Sequence, residues 1–139
     1  MGLRNVDLSD VPDKHLVSLA SCVTCGLQIS IVTGGQQIAT LLTNLKCDWL
    51  MIYNQSLGQG ETLALVQAME SSVEEVWLWE VSLEMEALSE YNGHGVCRHV
   101  DLEGDAAARY KEDLRQWARS NNWRVTMDTD SESMFFIHR

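Results

Sequence analysis

Three short segments of the chain carry one strand pattern at a nearly fixed step: CDWLMIY at 47–53, VEEVWLW at 73–79 and CRHVDLE at 97–103. Each places an apolar residue, two residues of any kind, a second apolar residue, one of any kind, and a third apolar residue. The sets are Cys47, Leu50 and Ile52; Val73, Val76 and Leu78; and Cys97, Val100 and Leu102. Leu50 to Val76 is 26 residues and Val76 to Val100 is 24. Units recurring at such a step stack against their neighbours, because no single unit buries its own apolar face. A fourth β-branched run, GLQISIV at 26–32, precedes them.

Helical patterns lie between these runs. Ile38, Leu41, Leu42 and Leu45 fall at three-and-four spacing, as do Leu65, Val66, Ala68 and Met69 behind Glu61. Ala107, Tyr110, Leu114 and Trp117 do the same with Asp105 as N-cap, and Met85 and Leu88 mark a shorter helix ended by Asn92 and Gly93. At the start, Asp10 is the candidate cap of a helix with Pro12 in its first turn and Leu16, Leu19, Ala20 and Val23 on one face. Trp123, Val125 and Met127, a polar turn, and then Met134 to Ile137 predict a hairpin. The expected order is therefore helix, four strand–helix pairs, and a hairpin. Such an order suits a doubly wound sheet or a solenoid, and the regular step favours the solenoid.

The stretch CDWLMIYNQSLGQGETLALVQAM resembles a leucine-rich repeat of the ribonuclease-inhibitor type, as found in cytosolic innate-immune receptors. Cys47, Leu50, Ile52, Leu57, Leu65 and Met69 fall in order on that repeat's core positions. Asn54 stands one residue before the usual turn asparagine, the Val73 copy has Glu80 and Val81 there, and the Cys97 copy has GDAAA. The resemblance covers residues 26 to about 122. It implies a single α/β domain, a short leucine-rich-repeat-like solenoid with a parallel sheet and helices on the convex side. Residues 1–25 would form an N-terminal cap, 26–122 the repeats and 123–139 a C-terminal hairpin cap. It also implies a cytoplasmic, non-enzymatic sensor or adaptor that works by protein binding without a cofactor.

In that arrangement the residues between the core positions point out of the coil. Three cross-strand rows result: Trp49, Glu75 and His99; Met51, Trp77 and Asp101; Tyr53, Trp79 and Glu103. These nine are the candidate partner-binding residues, with aromatic anchors of the kind enriched at interfaces. Two other readings stand beside this one. Either the face is covered, by the hairpin or by a second copy of the chain that would make the protein a homo-oligomeric scaffold unit, or helices cover both sheet faces and the tryptophans are core. Glu75, Asp101 and Glu103 form an acidic rim suited to a basic or amide-rich partner.

Twenty acidic against ten basic residues give a net charge of -10, which disfavours a general nucleic-acid or anionic-membrane surface. MGLRNVDLSD lacks the apolar core of a secretory signal, and no apolar run nears the roughly 20 residues of a membrane helix. TGGQQ at 33–37 lacks the lysine of a phosphate loop and reads as a strand-to-helix turn. His15, His94, His99 and His138 match no catalytic or metal spacing. Cys22 and Cys25 make a lone C-x-x-C at a helix end, without the second ligand pair of a zinc site. The expectation for the four cysteines is reduced and mostly buried thiols.

Overall fold

The computed structural model describes residues 2–91, 95–104, 111–120, 123–127 and 134–138. Strands β1 (Gly2–Asp7), β2 (Gly26–Thr33), β3 (Trp49–Tyr53), β4 (Glu75–Trp79) and β5 (His99–Glu103) run parallel, in chain order, within one sheet. The hairpin of β6 (Arg124–Met127) and β7 (Met134–His138) completes a seven-stranded sheet, with β7 antiparallel to β5. Helices α1 (Asp13–Cys22), α2 (Gly35–Thr43), α3 (Gln59–Ser71), α4 (Met85–Leu88) and α5 (Lys111–Ser120) occupy the connections. The order of the five parallel strands never reverses, so the switch point of a doubly wound sheet has no counterpart among them.

Register follows from burial. Leu27, Leu50, Val76 and Val100 pair across β2 to β5, as do Ile29, Ile52, Leu78 and Leu102, and all eight are buried. Ile38, Leu41 and Leu42 of α2, Leu65 and Met69 of α3, and Trp117 of α5 join the same core. Each fully buried Leu or Ile contributes about 1.5–3 kcal/mol relative to an exposed one. A slip of one residue would turn every such side chain to the opposite face, so the register is strongly specified. The intervening residues of β3 and β4 are half-buried or exposed, and the helical side chains pack only on the Leu–Ile face.

The repeat extends to the backbone. Asn5, Ile31, Asn54 and Glu80 have left-handed φ values of 51°, 50°, 51° and 53°, and Gly104 has 93°. The pairs Arg4–Ser30, Ser30–Tyr53, Tyr53–Trp79 and Trp79–Glu103 place each of these residues at the same level, one per parallel strand. Asn54 and Glu80 donate their N–H groups to the carbonyls of Trp79 and Glu103, both at 3.0 Å, which locks the turn row together. Strand entries repeat too. Asp48 and Trp49 donate to the Cys25 carbonyl, Glu74 and Glu75 to that of Asp48, and Arg98 to that of Glu74.

Beyond the turn row, the buried side chain of Gln55 replaces a missing strand rung. Only one orientation of its amide satisfies its surroundings. In that orientation its oxygen accepts from the N–H groups of Ile31 (2.8 Å) and Val32 (2.7 Å), and its nitrogen donates to the Val32 carbonyl (3.1 Å). One repeat farther, backbone does this work: Ser82 donates to the Gln55 carbonyl and Leu57 to that of Ser82. Thr62, fully buried in α3, donates to the Leu57 carbonyl and accepts from the N–H of Glu84, fixing the entry to α4.

Several expectations need correction. The chain begins with a strand, β1, rather than with the first helix; its GLRNVD sequence is polar because it is an edge strand with only Leu3 and Val6 half-buried. Asp10 does not cap α1, which starts at Asp13 behind Pro12 with no side-chain cap bond. Cys22 and Cys25 are exposed rather than buried, since they lie on the solvent side where α1 ends, whereas Cys47 and Cys97 are buried; none of the four is in a disulfide. The Asp105 cap, Ala107, Tyr110, Asn92, Gly93, His94 and the turn at 128–133 lie outside the described residues.

Two outcomes are expected. Gln55→Ala strips three backbone groups of their partner and should lower unfolding stability by about 1–3 kcal/mol, read as a drop in urea midpoint at constant m-value. Ile31 is a β-branched residue in a left-handed conformation and is 55% exposed, so little packing is lost with its side chain. Ile31→Asn should raise stability by about 1 kcal/mol in the same assay.

Candidate functional site

The face of the sheet opposite the helices carries the nine candidate residues, in the three rows expected. Trp49 pairs with Glu75 and Glu75 with His99; Met51 with Trp77 and Trp77 with Asp101; Tyr53 with Trp79 and Trp79 with Glu103. The rows extend onto β2 through Gly26, Gln28 and Ser30. Side chains at directly opposite positions stand close enough to interact, and the rings do so. Trp49 meets Trp77 edge to face at 6.1 Å, Trp77 lies 6.3 Å from the His99 ring, and Tyr53 lies 5.5 Å from Trp79.

The aromatic residues are not equivalent. A Cβ at Gly26 would fall inside the Trp49 indole, so the glycine is the bed on which that ring lies. Trp49 and Trp77 are half-buried, whereas Trp79 is 48% exposed at the end of its strand. Ile31, on the turn row two strands away, is also exposed. The hairpin does not lie across this face: β7 pairs edge-on with β5 and continues the sheet. Among the described residues, no helix packs over Trp77 and Trp79.

Beside the rings, a cleft of about 190 Å³ opens between Met51, Tyr53, Trp77, Trp79, Asp101 and Glu103. Asp101 lies within it and is only 8% exposed, directly across from Trp77 on β4. The Trp77 indole N–H bonds its carboxyl. Its Oδ1 has no hydrogen-bond partner among the described residues. Loss of water, followed by repulsion from Glu103, raises the Asp101 carboxyl to about 6, and the Trp77 bond offsets only part of this. Burial likewise raises the Cys47 thiol, which donates to the Trp49 carbonyl and is a poor nucleophile there.

No group of three or more His, Cys, Asp or Glu side chains among the described residues is arranged to hold a metal ion. No described helix is long and apolar enough to cross a membrane. Larger hollows lie elsewhere, between α2 and α3 (about 400 Å³) and between α4 and α5 (about 500 Å³). Both are shallow grooves between helices whose rims carry scattered polar side chains. What sequence reasoning missed at the site is the role of Gly26, for which strand pairing was the needed signal, and the burial of Asp101. Compared with family models, with curated proteins and with solved structures, the chain matches none.

The raised Asp101 carboxyl has a defined pH signature. Its folded value lies above its ordinary one, so between about pH 4 and 6 the native state binds the extra proton. Stability then falls as pH rises through that window, and the penalty is fully present above it. Asp101→Asn keeps an acceptor for the Trp77 indole and removes the charge. Its stability should match the parent near pH 4 and exceed it by roughly 1–2 kcal/mol at pH 7.5, allowing for solvent at the cleft mouth, measured by urea unfolding at the two pH values.

Proposed function

We propose that the chain is a protein-recognition module built as a short leucine-rich-repeat-like solenoid, with the bare face of its sheet as the binding surface. The solenoid reading is supported by the step of 23 to 26 residues between Ile31, Asn54, Glu80 and Gly104, by their shared left-handed turn, and by helices that bury only one sheet face. A rigid sheet that presents its anchors already ordered loses little entropy on binding. Its setting would be the cytoplasm, where cysteines that form no disulfide stay reduced. A sensor or adaptor role of the immune-receptor kind is carried by the sequence resemblance alone.

The observation that carries the reading is Trp79. A tryptophan nearly half exposed, tilted against Tyr53 on a sheet face that no described helix covers, is an anchor in search of a contact. Glu75, Asp101 and Glu103 alongside suit a partner that is basic at the contact.

Sedimentation mass with acrylamide quenching of tryptophan emission tests this. The expected result is a monomer with a readily quenched, red-shifted component that Trp79→Phe removes, over a protected component from buried Trp117 and Trp123. A dimer whose Trp79 is shielded would assign the face to self-association and make the chain a scaffold unit.

A further inference from the structure

Resting on that reading of the face, we infer that the cleft between Trp77, Trp79 and Tyr53 on one side and Asp101 and Glu103 on the other is an anchor pocket for an arginine side chain of the partner. Three independent observations converge on it. The first is an unmet buried acceptor: Asp101 is more than nine-tenths buried, it lines the cleft, and its Oδ1 has no partner among the described residues. Leaving such a group unpaired is costly, and a cationic donor entering the cleft would satisfy it.

The second is the pairing of charge with rings. Glu103 stands directly across from Trp79, and Asp101 directly across from Trp77. The two carboxylates thus sit at the foot of aromatic walls. Among the described residues the ion pairs are Arg98–Glu74 and Arg115–Glu112, so neither carboxylate of the cleft is already matched by a basic side chain. A cation placed between them relieves their mutual repulsion.

The third is size. A volume of about 190 Å³ admits a guanidinium and its neighbouring methylenes, the latter against Met51 and the rings. Arginine fits better than lysine on chemical grounds. Its planar group stacks on Trp and Tyr faces, offers a fork of N–H donors to a carboxylate, and sheds water more readily than a compact ammonium. The net charge of -10 adds long-range attraction for a basic segment.

The test is an NMR titration of the ¹⁵N-labelled full chain, followed at the tryptophan indoles, under conditions where sedimentation gives a monomer. The probes are acetyl-Gly-Arg-Gly-amide, the same peptide with lysine, and the same peptide with citrulline, which keeps arginine's shape without its charge. The arginine peptide should shift the Trp77 and Trp79 indole signals saturably, while those of Trp117 and Trp123 stay fixed. The lysine and citrulline peptides should bind at least about tenfold more weakly, and so should the arginine peptide to Asp101→Asn and to Trp79→Ala. Fixed Trp117 and Trp123 signals in both variants report that the fold is kept. Equal binding of citrulline or lysine, or undiminished binding to Asp101→Asn, would overturn the assignment. A monomer with an open Trp79 that ignores all three peptides sinks the arginine pocket while leaving the recognition face standing; a shielded dimer removes both.

Discussion

Everything in this fold depends on the lateral registration of five parallel strands. Leu27, Leu50, Val76 and Val100 form one buried column and Ile29, Ile52, Leu78 and Leu102 the next, and the helices close over both. Because a strand alternates its faces residue by residue, fixing those columns also fixes what lies behind them. The tryptophans and carboxylates of the bare face are placed by a constraint in which they take no part. The packed core and the proposed recognition surface thus lie on opposite sides of the same strands.

Asp101 is where that separation fails. It belongs to the outer face by register but is buried, with Trp77 across from it on β4 and the antiparallel strand β7 paired on the other side of β5. The unsatisfied acid of the cleft thus lies where the parallel run meets the antiparallel hairpin.

The strands β3 to β5 were legible because their apolar residues recur in a fixed pattern, β2 because of its β-branched run, and the three outward rows followed from alternation alone. The first strand was not legible: GLRNVD is polar, and only its place beside β2 makes it a strand. The left-handed row was hidden for a different reason. Asn5, Ile31, Asn54, Glu80 and Gly104 share a backbone shape but no side-chain chemistry, and only Asn and Gly advertise it. Gln55 could not be read because its partners are backbone groups of another repeat, and the burial of Asp101 because the strand that flanks it arrives from the far end of the sequence.

The glycine beneath Trp49 bears on how such a protein stays in solution. Three tryptophans, a tyrosine and a methionine on a face that no described helix covers would ordinarily invite copies of the chain to adhere. By settling into the space that Gly26 leaves and turning its edge to Trp77, Trp49 hides much of its hydrocarbon from water without help from any other layer. The sticky area shrinks toward the Trp79 corner, next to carboxylates, on a molecule whose net charge of -10 repels its own kind. A residue with no side chain thereby sets the colloidal behaviour of the whole surface.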